Sequence, residues 1–383
     1  MTIEPFTVHV DDAELADLRA RIRNTRWPPS APGPAWGQGT DLAYLQDLLA
    51  YWADGFDWRA QERALNQFNH HRVLLDGVLT HFVHEKARSG KGIPLILNHG
   101  WPSCFLEWLP LVPLLTDPAA HGLDGPGFDV VVPSLPGYGF SARPDRADVN
   151  YRYVAGLWHR LMHELGYERY GAAGGDWGAG VASLLALDVP DSVIGLYLTT
   201  FELDPYLGPE SPPLSAAERD YLAVRDGWDA TERGYSSIQS TKPQTVGYGL
   251  TDSPAGLAAW IVEKWRSWSD SGGDLDARLS RDFLLTLLTI YWTTGSITMS
   301  MRDYYDNRWA EVAFGPDDRI STPTGYGVFT HHFVNEGEPP PEWAARLYNL
   351  QRWTVMPRGG HFAATEEPEL VARDLAAFFA TLD

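Results

Sequence analysis

The sequence predicts an α/β protein: a mostly parallel central sheet with an inserted block of helices and a helical N-terminal extension. Three observations predict it. Short buried strands alternate with amphipathic helices in the middle of the chain, the strand signal disappears between about 201 and 320, and it returns before a final helix. Such alternation is typical of a parallel sheet, and a helical block that interrupts it is typical of a cap.

Composition narrows the class of protein further. The 383 residues are 44% hydrophobic and 21% charged, which is ordinary for a globular protein. The formal net charge of −20 argues against nucleic acid or an anionic membrane surface as partner. The single cysteine, Cys104, excludes an internal disulfide and fits a reducing compartment. Since no signal peptide and no apolar run of ~18 residues is present, we expect a cytoplasmic protein that does not enter the membrane.

The N-terminal region, residues 1–78, is predicted to be helical and to pack on the rest. Asp11 and Asp12 precede apolar residues at helical spacing, and the prolines from Pro28 onward end this first helix. Further helical patterns run over Leu42–Trp52 and Trp58–Phe68.

The remaining elements divide into three segments: a first core part (79–200), a helical cap (201–320) and a second core part (321–383). In the first core part, strand patterns cover Leu79–His84, Ile93–Leu97, Phe128–Val132, Tyr170–Gly175 and Val193–Thr199, and helical patterns cover Asn150–Leu165 and Ala179–Leu187. Cap helices are predicted over Ala216–Val224, Ala255–Trp268 and Arg281–Thr294. The second core part has strand patterns at Gly325–Phe329 and Gln351–Val355, then a helix at Pro368–Leu382.

A candidate nucleophile lies where a predicted strand turns into a helix. The run Gly174-Gly175-Asp176-Trp177-Gly178 has small residues on both sides of a central reactive residue, the pattern of a nucleophile elbow, and that residue is Asp. A carboxylate nucleophile attacks a carbon that carries a good leaving group or belongs to a strained ring. Alternatively, Asp176 simply caps the helix.

Two further signals follow the chain order of such enzymes. His99-Gly100 ends a buried strand, so the backbone N–H groups of Trp101 and Trp177 are candidates for an oxyanion hole. His361, in a glycine-rich loop after the last predicted strand, is the candidate general base. Glu336 and Glu338 are candidates for the acid that orients this base, although both could be solvated loop charges.

Several longer motifs resemble the microsomal-type epoxide hydrolases of the α/β-hydrolase superfamily. They are HGWP at 99–102, PSLPGYGFS at 133–141, GGDWG at 174–178, GYSSIQSTKPQTVGYGLTDSPAGLAAWIVEKW at 234–265, YWTTGSI at 291–297 and RGGHFAATEEPEL at 358–370, together with the N-terminal run from Ile3 to Pro28. The resemblance covers nearly the whole chain. It implies an α/β-hydrolase fold, a small hydrophobic epoxide as substrate, no metal, no organic cofactor and a homodimer.

The resemblance also implies roles for individual residues. Asp176 is the nucleophile, His361 the base, and cap tyrosines Tyr235 and Tyr304 hold the epoxide oxygen; Tyr304 matches the motif better than Tyr305. Glu336 is preferred over Glu338 as the acid. Here the chain departs from the family, because Phe-Val-Asn-Glu at 333–336 lacks the usual proline and follows extra residues at 330–332.

The function predicted from the sequence is hydrolysis of an epoxide to a vicinal diol through an ester on Asp176. A haloalkane dehalogenase is an alternative with the same nucleophile, and Trp177 is placed as a halide-binding tryptophan in such enzymes is. A hydrolase-fold binding protein without activity is a second alternative, and a serine esterase is disfavoured because no serine occupies the elbow.

Overall fold

The computed structural model describes residues 2–310 and 312–382. The strands in this part of the chain are β1 (Glu4–Pro5), β2 (His70–Leu75), β3 (Val78–Glu85), β4 (Ile93–Asn98), β5 (Phe128–Pro133), β6 (Tyr170–Gly174), β7 (Val193–Leu198), β8 (Ile320–Val328) and β9 (Tyr348–Val355). They form one sheet in the order β1-β2-β3-β5-β4-β6-β7-β8-β9. The strands from β5 to β9 pair in parallel, whereas β1, β2 and β3 join antiparallel at one edge.

The helices fall into the same segments as the sequence patterns. The N-terminal helices are α1 (Asp12–Arg23), α2 (Leu42–Asp54) and α3 (Trp58–Leu65). The first core part holds α4 (Val112–Thr116), α5 (Tyr151–Glu164) and α6 (Trp177–Asp188), with 3-10 turns at Phe105–Leu111 and Pro118–His121. The cap helices are α7 (Ala216–Glu232), α8 (Gly234–Gln239), α9 (Pro243–Asp252), α10 (Pro254–Trp268), α11 (Leu275–Arg278), α12 (Arg281–Thr294) and α13 (Ser296–Trp309). The chain ends with α14 (Pro341–Leu347), α15 (Ala363–Glu366) and α16 (Pro368–Phe379).

The core lies on both faces of the parallel strands. β4, β6 and β7 are almost entirely buried, as expected for strands covered by helices on each side. On one face, Phe379 of α16 packs so closely over Gly171 that a Cβ there would collide with its ring. The absence of a side chain at this position therefore lets the last helix approach the central strands.

The cap is inserted between β7 and β8, which are neighbours in the sheet. Because parallel strands end at the same edge, the cap lies next to the end of β6, where α6 begins. A buried ion pair fixes one cap helix to the core. Arg143, whose side chain is 3% exposed, contacts Asp303 and Asp306 of α13 at 2.6 Å each.

The N-terminal region is not purely helical. Residues Glu4–Pro5 and His70–Leu75 form β1 and β2, which the sequence patterns did not predict, and they extend the sheet beyond β3. The helices of this region also brace the cap. Trp52 of α2 donates its indole N–H to the hydroxyl of Thr289 in α12 at 3.0 Å, inside the apolar core.

The described residues include no helix that is both long enough and apolar enough to span a bilayer.

Candidate active site

Asp176 lies at the sharp turn between β6 and α6. Its φ of 50° and ψ of −133° are strained for a residue with a side chain, as a nucleophile elbow requires. The neighbouring glycines make the turn possible: a Cβ on Gly178 would collide with the backbone of Asn98, and one on Gly100 would collide with the Asp176 carboxylate. The backbone N–H of Asp176 donates to the hydroxyl of Thr200 at 2.5 Å. The turn therefore presents the carboxylate in one fixed direction.

The two carboxylate oxygens of Asp176 have different surroundings. Oδ1 accepts the backbone N–H of Trp101 at 2.7 Å, while Oδ2 lies 3.4 Å from Nε2 of His361. Trp177 is the first residue of α6, so its N–H has no acceptor within the helix. The amides of Trp101 and Trp177 thus belong to the segments that flank Oδ1, and Oδ2 is the oxygen that faces the imidazole.

His361 is held by backbone contacts in the loop between β9 and α15. Its N–H donates to the carbonyl of Trp268 at 2.9 Å, and its ring lies 5.1 Å from the Trp268 ring. Burial lowers the pKa of His361, but the hydrogen bond and charge of Asp176, with the charges of Glu336 and Glu107, reverse this and raise it to about 9. The resting site is thus an imidazolium paired with a carboxylate.

Glu336 lies in the wall of the same cavity, but its carboxylate is paired with a different imidazole. Its Oε1 lies 3.2 Å from Nδ1 of His332, and among the described residues no partner reaches the buried Nδ1 of His361. Burial raises the pKa of Glu336, yet the charge and hydrogen bond of His332, with the charges of His361 and Arg233, lower it to about 2. Glu336 is therefore a carboxylate beside two imidazoles, bonded to His332. Glu338 is not among the residues that line this cavity.

A cavity of about 130 Å³ joins these groups. Asp176, His361, Glu336, His332 and Tyr235 all line it. A neighbouring cavity of about 710 Å³ is lined by Trp177 and Tyr304, and the side chains of Glu202 and Arg233 line both.

The cap brings Tyr235 and Tyr304 to the boundary of these cavities. Their ring centroids are 5.7 Å apart, and both rings contact Trp101, at 5.3 and 5.6 Å respectively. Burial, followed by the charge of Asp176, raises the pKa of Tyr235, and a hydrogen bond with Tyr304 partly opposes this. Tyr305, by contrast, is 41% exposed and packs against Trp309 on the outside of the cap.

Other polar groups near the site were not predicted from the sequence. Thr200 holds the elbow, His332 pairs with Glu336, and Glu202 accepts the Tyr151 hydroxyl at 2.6 Å between the cavities. Burial raises the pKa of Glu202, and separately that of Glu107 below His361, to about 8. The only available signal was position, since Thr200 and Glu202 directly follow a predicted buried strand.

Metal binding finds no obvious place in this part of the chain. Across residues 2–310 and 312–382, no group of three or more His, Cys, Asp or Glu side chains is arranged to hold an ion.

Comparison with known proteins decides the family. Residues 3–108 match the family described as epoxide hydrolase N terminus, and residues 93–233 match the alpha/beta hydrolase fold family. A putative epoxide hydrolase from Stigmatella aurantiaca (strain DW4/3-1) is 41% identical over 99% of this chain and 85% of its own length. The chain belongs to the epoxide hydrolase family. Epoxide hydrolase 1 of Sus scrofa is 37% identical to this epoxide hydrolase over 100% of the chain and 89% of its own length.

Solved structures agree with this assignment. The juvenile hormone epoxide hydrolase of the silkworm Bombyx mori has a TM-score of 0.87 and 30% identity, covering 99% of this epoxide hydrolase and 94% of that chain. The Aspergillus niger epoxide hydrolase has the same TM-score and identity, covering 100% and 97%. The predicted α/β-hydrolase fold and epoxide hydrolase class are confirmed. These findings favour that prediction over the haloalkane dehalogenase and the inactive binding protein.

Proposed function

We propose that this epoxide hydrolase forms a covalent ester on Asp176 and then hydrolyses it with water activated by His361. The observation that carries the proposal is the division between the Asp176 oxygens. Oδ1 is held by the Trp101 amide, and Oδ2, 3.4 Å from His361, faces the cavity.

In the first step, Oδ2 attacks one carbon of the epoxide and the carbon–oxygen bond of the ring breaks. The electron pair goes to the ring oxygen, which takes hydrogen bonds, and then a proton, from the phenols of Tyr235 and Tyr304. Placing donors where negative charge develops lowers the barrier to bond breaking. The cap rings lie beside Trp101 and so on the side of the cavity where the oxygen would leave.

In the second step, Nε2 of His361 takes a proton from water, whose oxygen attacks Cγ of the ester. The negative charge on Oδ1 is held by the amides of Trp101 and Trp177. The tetrahedral intermediate then breaks the bond to the old Oδ2, which leaves in the diol with the proton from His361. A carboxylate at Nδ1 of His361 is needed to fix the ring and stabilise the imidazolium, and we assign this role to Glu336. Its place in the cavity wall supports the assignment, although rotation away from His332 is required.

The substrate class that fits best is a small hydrophobic epoxide, including aromatic ones. The rings of Trp101, Trp268, Tyr235 and Tyr304 contact one another around the cavity and offer apolar and aromatic surface. We also propose that the protein acts in the cytoplasm, which the buried free thiol of Cys104 suits. A homodimer is implied by the family resemblance, and light scattering of the purified protein tests it.

A single turnover in oxygen-18 water tests the covalent step. With enzyme in excess over styrene oxide, the diol oxygen from Asp176 should be unlabelled, and the label should appear in the Asp176 carboxylate, read by mass spectrometry of the digested protein. A labelled diol from the first turnover would show direct attack by water and would remove Asp176 from this role. Asp176→Asn, which lacks the anionic oxygen, is the control and should form no ester at the start of the reaction.

A further inference from the structure

A buried lysine lies over the ring of a proposed oxygen-holding phenol. The Nζ of Lys264 is 4.7 Å from the centroid of the Tyr235 ring and 5.8 Å from that of Trp268. Lys264 is only 7% exposed, an uncommon degree of burial for a lysine. Lys264 and Trp268 are four residues apart on α10, so they lie on the same face of the helix, which is the face toward the active site.

The ammonium is held in this position by its own contacts. It pairs with the carboxylate of Glu263, which in turn accepts the hydroxyl of Ser267 at 3.0 Å. Tyr235 is fixed independently, because its ring stacks on Trp101 with an interplanar angle of 7°. Cation and ring therefore meet in a defined geometry within a largely desolvated layer, where cation–π attraction is stronger than at an exposed site.

A cation over a phenol ring has a different effect before and during ring opening. As the phenol proton moves toward the departing alkoxide, electron density on the ring rises. The attraction between ring and cation then becomes stronger. Only an interaction that strengthens in the transition state accelerates the chemical step. An ammonium over Tyr235 meets this condition for ester formation, and it does not for the later hydrolysis of the ester.

We propose that Lys264 is a positioning residue that makes Tyr235 a better proton donor to the opening epoxide, by placing its ammonium over the phenol ring. The inference rests on the proposed function, since it assigns Lys264 to the step in which Tyr235 acts. The epoxide oxygen gains the phenol proton, and the phenolate regains one from solvent water after the diol leaves.

The test measures ester formation in a double-mutant cycle. Radiolabelled 1,2-epoxypropane is mixed with excess enzyme, the reaction is quenched in acid, and label bound to the protein is counted. In the wild-type background, Lys264→Met should slow ester formation about tenfold, the change expected from partial loss of a desolvated cation–π contact. In the Tyr235→Phe background the same substitution should have no further effect. Equal slowing in both backgrounds would overturn the proposal, because it would show that Lys264 acts without the phenol.

A second readout separates proton donation from packing. Attack on the terminal carbon of 3,3,3-trifluoro-1,2-epoxypropane leaves a less basic alkoxide, which needs less help from a phenol. Lys264→Met should therefore slow this substrate less than it slows 1,2-epoxypropane. The same loss on both substrates would indicate a purely structural role and would contradict the proposal.

The chain offers a matched control on the same helix. Arg266 lies 4.5 Å from the centroid of Trp36, which does not line the cavity around Asp176, and Arg266→Met should leave ester formation unchanged. Where Lys264→Met does not fold, Lys264→Gln makes the same comparison while keeping a hydrogen bond to Glu263. If Tyr235→Phe itself leaves ester formation unchanged, the role proposed for Tyr235 fails, and that of Lys264 with it. If Tyr235→Phe slows the step and the Lys264 variants do not, only the Lys264 proposal fails.

Discussion

Glu336 is the residue whose contacts differ most from the sequence prediction. The cavity contains one carboxylate with imidazoles on two sides, because His332 takes the bond expected for His361. A buried Nδ1 without a partner costs about 1–3 kcal/mol. This cost favours rotation of the Glu336 carboxylate toward His361 once the Asp176 charge is lost on ester formation. In our proposal, the acid therefore engages the base only in the intermediate.

Glu336→Gln is expected to slow hydrolysis of the ester about 100-fold, because a neutral amide does not stabilise the imidazolium. Ester formation should change much less, since Oδ2 attacks before His361 acts as a base. Rapid-quench measurement of the bound ester and of the diol resolves the two steps. Glu338→Gln is the matched control, and equal effects of both substitutions would refute the assignment of Glu336.

The pairing of His361 with Asp176 predicts a pH dependence of stability. The pKa of His361 in the folded protein, about 9, lies above the ordinary value of ~6.5. The folded protein then binds more protons than the unfolded chain between these values. Stabilisation from this group is complete below pH ~6.5 and is lost as the pH rises to about 9. The free energy of unfolding in urea should fall by about 2 kcal/mol more in the wild type than in His361→Gln between pH 6.5 and 9. Parallel curves for both proteins would contradict the ion pair.

The positions of Asp176 and His361 could be predicted because each belongs to a short local pattern beside a sheet strand. The contacts of Glu336 could not, since they depend on a loop whose path is set by the extra residues at 330–332. Lys264 was also hidden. A lysine at helical spacing normally indicates a solvated face, and only the packing of α10 against α8 residues shows that its head group is buried over Tyr235.

Among the elements, α13 shows how a cap helix is held in register with the core. Tyr304 lies between Asp303 and Asp306, and both carboxylates bind one arginine from the core loop after β5. Burial raises the pKa of Asp303 to about 6, even though Arg143 opposes this. An unpaired carboxylate at this depth is therefore costly, and the pair specifies where the Tyr304 ring lies.

Arg143→Met should destabilise the protein by about 3–5 kcal/mol, because it leaves two buried carboxylates without their cation. Chemical denaturation measures the loss. Ester formation should also slow in the fraction that remains folded, since Tyr304 loses its fixed position. Arg302→Met is the comparison on the same helix. Arg302 is exposed and bonds only the Gln244 side chain, so a change within about 0.5 kcal/mol is expected.

Most central elements follow the sequence patterns, whereas the ones at the sheet edge do not. β4, β5, β6 and β7 are apolar runs bounded by turns, and their predicted ranges agree with the structure to within a residue or two. β1 is too short to produce a pattern, and β2 contains His71 and Arg72, as an edge strand exposed to solvent can. β8 begins five residues before its predicted start because Pro323 and Gly325 disguise it.

At the scale of the whole molecule, the N-terminal region connects sheet and cap. β1 and β2 extend the sheet, while α1 and α2 pack against α10 of the cap. Polar contacts cross the same boundary: the Tyr51 hydroxyl donates to Asp282 at 2.8 Å, and Arg281 pairs with Asp47 at 2.7 Å. The cap is thus fixed from two sides, by the core through Arg143 and by this region.

Trp52→Ala is expected to cost about 3–5 kcal/mol, because it leaves a cavity between the N-terminal region and α12 and an unsatisfied hydroxyl on Thr289. Urea unfolding followed by circular dichroism gives the value. Tyr51→Phe, one residue away, removes only a hydrogen bond and should cost about 1 kcal/mol. If both variants unfold at the wild-type urea concentration, the N-terminal region does not contribute to the stability of the fold.

The insertion of the cap between two adjacent strands has a consequence for synthesis on the ribosome. Residues 199–319 separate β7 from its neighbour β8, and at ~5–20 residues per second they take roughly 6 to 24 s to emerge. During that delay the backbone of β7 has no strand on its outer side and offers free N–H and C=O groups to any passing chain. A nascent polypeptide arrested within the cap is expected to aggregate through this edge, and holdase chaperones are expected to protect it there.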